Sequence, residues 1–561
     1  MRTRQFRVGR IPATGAVAIC AVAAGWISGQ RSLFVAGHHG EPSSSISLPL
    51  APERDSKGLG SPNDETRSSD GDLGKPVAET APQADVLSPD FTSEKERDLT
   101  GLAEAAALYK AGDLARGDSV AMIAKTETVR TALEWIALRN FPRETGFERL
   151  QAFMQAHPAW PALSWLKKRS EEALFGDRKS SALVKTFFSA ADPETPAGKL
   201  ALARVLTDDG KTSEAAALVR AVWREAGLSP QLEAKVKAEF DTYLGRADHK
   251  FRADRLLYKE QIAAAFRAAA LAGPDVLALA KARAAVIRGE RSDKLLAAVP
   301  LALRSDPGFL FAQIHKLRHA DKIRAATDIM LAAPRDPSRL VDGDEWWIER
   351  RLLARKLLDQ NDAKTAYKLC AEHSAVSHEM RIEAEFHAGW IALRFLHDPA
   401  RAAGHFDAIA KLAETPISRA RAAYWQGRTA EASFAADAEA AARRFYEQAA
   451  VHHTVYYGQL ARAKLGLTTL PIRSISNDAK GEDREDAIKV IELLYLVGEK
   501  NLAGPLVIEA ARHLADETQV AALASLVAKQ RDAHLSLTFG KIVSQRGMPI
   551  DELAFPNYGV P

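Results

Sequence analysis

Cysteine is almost absent. Cys20 and Cys370 are the 2 cysteines in a chain of 561 residues, which excludes a disulfide scaffold and any zinc site built from several thiolates. An excess of one charge is also missing. The 76 Lys and Arg stand against 72 Asp and Glu, for a formal net charge of +4, and no basic run exceeds Lys167-Lys168-Arg169. A nucleic-acid binder concentrates positive charge on one face, so nucleic acid is not an expected partner. The chain contains no P-loop, no G-x-G-x-x-G and no G-x-S-x-G, and no cofactor is expected. Segments with period-two alternation of apolar and polar residues are lacking, which argues against strands. What is present, 47% hydrophobic and 26% charged residues, is ordinary for a globular protein and rules out wholesale disorder. The length allows two or more compact domains or one elongated repeat array.

Residues 1–30 read as a signal peptide or a signal-anchor. Arg2, Arg4, Arg7 and Arg10 precede an apolar run from Ile11 to Ile27, with no charge before Arg31. A basic flank followed by a short apolar run is a secretory pattern, and the run is slightly short for a membrane span of about 20 residues. That favours cleavage, for which Ile27-Ser28-Gly29 or Val35-Ala36-Gly37 offers small residues. An uncleaved anchor is the competing reading, and only through it would the chain touch a membrane. Bulky Ile19 directly before Cys20 argues against lipid attachment. Residues 31–98 read as a disordered linker, crowded with Pro, Ser, Gly and acid as in Glu41-Pro42-Ser43-Ser44-Ser45. Such a stretch cannot offset its ordering entropy by burial, and His38-His39 within it is incidental rather than metal-binding.

The texture then becomes uniform. From Leu102 onward, segments of helical length carry apolar residues at i, i+3, i+4 and i+7, rich in Ala, Leu, Arg and Glu. Breaks at Ala111-Gly112-Asp113, Asp208-Asp209-Gly210, Gln360-Asn361-Asp362 and Gly498-Glu499-Lys500 separate them, each making a helical hairpin. The second helices place Ala where close packing needs a small residue, as in Glu214-Ala215-Ala216-Ala217-Leu218. The expected class is therefore all-α, a helical-hairpin (TPR-like) superhelix of roughly a dozen hairpins at about 30–40 residues each. The spacing is too irregular for a strict repeat.

Candidate chemistry is sparse. His315 and His319 lie four apart on a helix expected over Phe311–Ala320 and could share an ion, but the Glu of an H-E-x-x-H arrangement is missing. Glu383 and His387 share a face in the same way, with an interhelical or solvated pair as the plain account. His452-His453, if helical, would point about 100° apart and could not bind one ion together. Trp346-Trp347, after the acidic turn Asp342-Gly343-Asp344-Glu345, suit a buried core better than a sugar-stacking platform. Tyr456-Tyr457-Gly458 suggests close packing at Gly458. Glu171-Glu172 and Asp208-Asp209 read as surface composition, not as a facing acid/base pair. No catalytic, cofactor-binding or metal residue is assigned, and the substrate-binding residues are left open.

An ordered series of segments nonetheless has a family likeness. Asp306-Pro307-Gly308-Phe309-Leu310-Phe311 leads to Ala332-Ala333-Pro334, then Trp346-Trp347-Ile348-Glu349-Arg350-Arg351. Ala388-Gly389-Trp390-Ile391-Ala392-Leu393-Arg394, Ala422-Ala423-Tyr424-Trp425-Gln426-Gly427-Arg428 and Tyr456-Tyr457-Gly458-Gln459-Leu460-Ala461 follow. In this order they resemble the superhelical region of the soluble lytic murein transglycosylases. The resemblance implies a U- or ring-shaped superhelix over 99–470 and a helical linker domain over 471–547, with Ile488–Val497 and Leu502–Leu514 as one hairpin. Residues 548–561 would then be an extended stretch leading to a lysozyme-like catalytic domain. It also implies a periplasmic location and peptidoglycan glycan strands as partner. The family's Glu-Ser, Gly-Leu-Met-Gln and Tyr-Asn-Ala-Gly motifs do not occur in this sequence, so no catalytic residue carries over. The expectation is a non-catalytic part that positions glycan strands. The alternative is a periplasmic TPR-like scaffold for cell-wall enzymes or other periplasmic proteins.

Overall fold

Helix starts are written in the sequence as a capping residue followed by proline. Thr195-Pro196, Ser229-Pro230, Asp306-Pro307, Asp398-Pro399 and Thr415-Pro416 each open a helix. The capping side chain accepts a bond from a first-turn N–H, as Thr195 does from Gly198 and Asp398 from Arg401. Proline there gives up only an N–H that has no helical partner. Helix ends follow a second rule. In seven turns the N–H five residues after a leucine donates to that leucine's carbonyl at 2.8–3.2 Å, and the residue just before the donor is left-handed. The pairs are Leu108 with Gly112, Leu174 with Arg178, Leu206 with Gly210, Leu256 with Glu260, Leu317 with Asp321, Leu357 with Asn361 and Leu494 with Gly498. This closure satisfies the orphan carbonyls at a helix end. It explains the four breaks expected from Gly and Asn, and it recurs where Arg178, Glu260 and Asp321 hide it.

The structure, a computed structural model, describes residues 94–558 apart from 226 and 476–482, with side chains from 97 onward. These residues belong to one unit, Pro89–Pro561, and form 28 α-helices and no strand. The segment read as signal or anchor, with Cys20 and His38-His39, lies outside the described residues. Among the described residues no helix is long and apolar enough to cross a membrane.

Successive helices pair as hairpins, and glycines let aromatic rings of one helix rest on the backbone of the next. A Cβ on Gly427 would stand 2.7 Å from the Tyr446 ring, and one on Gly389 2.9 Å from Phe406. Ion pairs cross between neighbouring hairpins: Arg204 with Glu239, Arg252 with Glu233, Arg318 with Glu349. The middle hairpins bury separate apolar clusters. The two ends of the array instead share one core, in which Leu102, Leu133, Ile136 and Leu138 join Ile488, Ile491, Leu494, Leu523 and Phe539. Helix Glu127–Asn140 packs on helix Asp486–Leu496, so the superhelix closes on itself as a ring. Each fully buried Leu or Ile contributes about 1.5–3 kcal/mol. The Lys110–Glu499 ion pair across the same joint, with Lys110 mostly exposed, adds at most about 1 kcal/mol. Closure is an apolar event.

Four expectations need correction. The linker read over 31–98 runs into helix Glu94–Lys110, because buried Asp98 accepts bonds from the backbone N–H groups of Lys125 (3.0 Å) and Thr126 (2.7 Å) and holds the entry to the Glu127 helix. The stretch read as extended over 548–561 contains the helical turn Asp551–Ala554. Asp551 fixes it by accepting from the Arg473 backbone N–H (3.0 Å) and from its guanidinium (2.8 and 2.9 Å). Glu171 is not surface composition. It is fully buried and accepts from the Glu194 and Thr195 N–H groups and the Thr195 hydroxyl, tying two hairpins together. His452-His453 sit in a turn between Ala438–Ala450 and Tyr456–Lys464 rather than in a helix, and a Cβ on Gly458 would stand 1.8 Å from the His452 carbonyl oxygen.

Candidate functional site

The first helices of four successive hairpins, and the helix that follows the last of them, carry a continuous ladder of aromatic and charged side chains. They are Pro307–His319, Gly343–Asp359, His378–Arg394, Pro416–Glu431 and Tyr456–Lys464. Adjacent positions on a helix point about 100° apart, so Trp346 and Trp347 serve two different neighbours. Trp346 donates its indole N–H to the Tyr258 hydroxyl at 2.9 Å and meets the edge of Phe311 at 5.3 Å between centroids. Trp347 donates to Glu383 Oε2 at 3.0 Å and packs on His387 at 5.6 Å and His373 at 6.1 Å. Both indoles are 0% exposed. They are core, and no sugar can stack on them.

Glu383 is the polar centre of the ladder. It accepts from Trp347 and from Arg351, and its own backbone carbonyl accepts from His387 Nδ1 at 2.8 Å. Burial disfavours its charge, but Arg351 and the bonds outweigh burial, and the carboxyl lies below its ordinary value. Burial pushes His387 down, so the ring is neutral at physiological pH. One hairpin on, the Arg421 guanidinium lies over the Phe386 ring at 5.1 Å, with Nε buried and unpartnered. Phe386 meets Trp425 at 5.8 Å, Trp425 meets Tyr457 at 6.5 Å and Tyr457 meets Tyr456 at 5.1 Å. Tyr456, 52% exposed, is the ring of this series that stands open, and His319 and Arg355 are among the exposed charged or titratable residues on the earlier helices.

His315 and His319 lie with ring centroids 4.6 Å apart, and burial lowers the pKa of His315. Among the described residues no group of three or more His, Cys, Asp or Glu is placed to hold a metal ion. Cys370 is buried, and burial pushes its thiol up to about 12, so it is unreactive.

One cluster left no trace in sequence spacing. Glu385 takes bonds from two histidines, His405 Nδ1 at 2.6 Å and His373 Nε2 at 3.4 Å, and the Tyr367 hydroxyl bonds His405 Nε2 at 3.0 Å. Burial opposes ionisation, but the two histidines outweigh it and bring the Glu385 carboxyl down to about 2. The four residues come from separate elements, so no periodicity could announce them.

A glycosidic general acid must hold its proton near neutral pH, which requires a raised pKa. Glu383, Glu385, Glu233 and Asp551 are all shifted the other way by arginine or histidine partners. Glu485 is raised by burial and by the charges of Asp516 and Asp486, but it stands at the start of helix Asp486–Leu496 with its N–H bonded to Gln519, away from the ladder's aromatics. Within the ladder, Glu383 and Glu385 are held in their ionised forms.

No protein-family model matches the chain, and no curated protein sequence does. Solved structures do. The lytic transglycosylase Slt from Pseudomonas aeruginosa, determined as an inactive mutant, matches 83% of this chain and 73% of its own at 17% identity and TM-score 0.53. The 70 kDa soluble lytic transglycosylase from Escherichia coli gives the same coverages at 14% identity and TM-score 0.49. The 70-kDa soluble lytic transglycosylase in complex with bulgecin A gives 15% and 0.49. The ring-closed helical superhelix of this chain is a lytic transglycosylase-like fold.

Proposed function

We propose that this chain is the non-catalytic, glycan-positioning part of a periplasmic peptidoglycan lytic transglycosylase. The whole enzyme would cleave the MurNAc–GlcNAc bond without water, the muramic 6-hydroxyl closing on the anomeric carbon to leave a 1,6-anhydro end. One carboxylic acid would protonate the leaving oxygen and then act as base. The observation that carries the reading is the ring closed by the shared core of residues 102–166 and 487–553, in a fold like that of the Pseudomonas enzyme. Supporting the non-catalytic half, the sequence has no Glu-Ser dipeptide, and Glu349, Glu383 and Glu385 on the ladder helices are paired with arginine or histidine. Exposed Tyr456, His319 and Arg355 along the ladder are the groups that would meet a sugar chain. Affinity would be weak, about 0.1–1 mM, because a solvated glycan gives up hydrogen bonds to water on binding.

Purified folded protein incubated with peptidoglycan sacculi tests both halves. The reading expects the protein to sediment with sacculi and no 1,6-anhydro-muropeptides to be released. Release would overturn the non-catalytic assignment. Failure to sediment would remove the glycan partner and favour the protein-binding scaffold.

A further inference from the structure

A cleft of about 330 Å³ lies apart from the ladder, among the helices near the C-terminal end, a volume at the lower end of the range for small-molecule sites. Its walls come from helix Asp486–Leu496 through Tyr495, helix Lys500–His513 through Lys500, Pro505 and Ile508, and the turn into helix Ala533–Gln545 through Asp532 and Leu535. The Tyr495 hydroxyl is buried in the wall and has no hydrogen-bond partner. An orphaned buried O–H costs about 1–3 kcal/mol, which a ligand acceptor would recover. Burial, with the nearby Asp532 charge, pushes the phenol up to about 12, so it stays a neutral donor.

Two opposite charges line the same cleft. Asp532 spends Oδ1 on capping, accepting from the Leu535 N–H at 3.0 Å, which leaves Oδ2 for a ligand. Lys500 pairs with no carboxylate among the described residues. Its neighbour Glu499 is engaged by Lys110 across the ring joint. Pro505, Ile508 and Leu535 supply the apolar surface between the charges.

We propose that this cleft binds a small zwitterion, an amino acid or short peptide with free ammonium and carboxylate groups. The ligand carboxylate faces Lys500, its ammonium faces Asp532, and the Tyr495 O–H donates to a ligand oxygen. The inference is independent of the glycan-positioning reading.

Alanyl-alanine, N-acetyl-alanyl-alanine and alanyl-alanine amide, titrated against the full chain by ligand-observed NMR, test it. The expected result is saturable binding of the dipeptide at about 0.1–1 mM and a loss of about two- to fivefold for each blocked ligand, the worth of one exposed ion pair. Asp532→Asn keeps an N-cap acceptor and should weaken only ligands with a free ammonium. Lys500→Met should weaken only those with a free carboxylate, and Tyr495→Phe should weaken all. Circular dichroism confirms that each variant is folded. No saturable binding up to about 10 mM, a regime beyond any specific small-ligand site, would overturn the proposal. So would equal binding of all three compounds, or a dipeptide affinity unchanged by the three substitutions.

Discussion

Replacing Arg351 with methionine isolates the electrostatic centre of the ladder. The side chain of Glu383 is 7% exposed and that of Arg351 16%, so R351M leaves a buried carboxylate held by the Trp347 N–H alone among its two side-chain donors. Removing one partner of a buried pair costs about 3–5 kcal/mol. The pH dependence carries the sign. In the native protein the Glu383 pKa is lowered, so the pair stabilises the fold above the ordinary carboxyl pKa and is lost as pH falls through the folded value. In R351M burial dominates and the folded pKa rises above the unfolded one. The deficit is then full at neutral pH and shrinks as acid protonates Glu383. Adding Glu383→Gln, which keeps an acceptor for Trp347, should recover about 2 kcal/mol or more. Hydrogen exchange of helices Gly343–Asp359 and His378–Arg394, with urea unfolding at two pH values, reads both effects. A deficit below about 1 kcal/mol, the scale of an exposed pair, would refute the reasoning. A deficit unchanged by pH, or a double variant no better than the single, would also refute it.

Glu385→Gln should flatten the acid limb of the stability profile. Its carboxyl is lowered from 4.5 to about 2, so its contribution is present above the upper value and lost on titration towards the lower, which circular dichroism against pH will follow. Gly458→Ala should lower the melting temperature, since its Cβ would stand 1.8 Å from the His452 carbonyl oxygen and the turn must move at a cost of about 3 kcal/mol. Glu260→Gly should raise stability by about 1 kcal/mol, because Glu260 is held at φ 58°, where a side chain is strained. A melting temperature unchanged or lowered in that variant would count against the turn rule.

The all-α class was legible because helical periodicity and left-handed turn residues are local signals, and both recur along the chain. Trp346-Trp347 could be read as core from indole size alone, but the division of labour between them, one towards Tyr258 and one towards Glu383, depends on which helices flank theirs. Glu171 shows where local reading stops. Beside Glu172 it looks like a surface pair, yet its partners are the Glu194 and Thr195 N–H groups, brought up by the packing of a later hairpin. The Tyr367–His405–Glu385–His373 cluster and the Tyr495 cleft fail to show in the sequence for the same reason. Each is assembled from different elements, and only packing supplies the register. The Asp551–Arg473 clasp spans two segments that carry no mutual pattern, which is why the end of the chain read as extended.

The most direct test of the account is a hydroxyl-radical footprint of the folded protein with and without soluble peptide-free glycan strands. If the ladder positions glycan, protection should concentrate at Tyr456 and His319, open edges of its helices, while buried Trp346 and Trp347 stay unchanged. Protection confined to other surfaces, or none at saturating glycan, would contradict the claim that this ring holds a sugar chain.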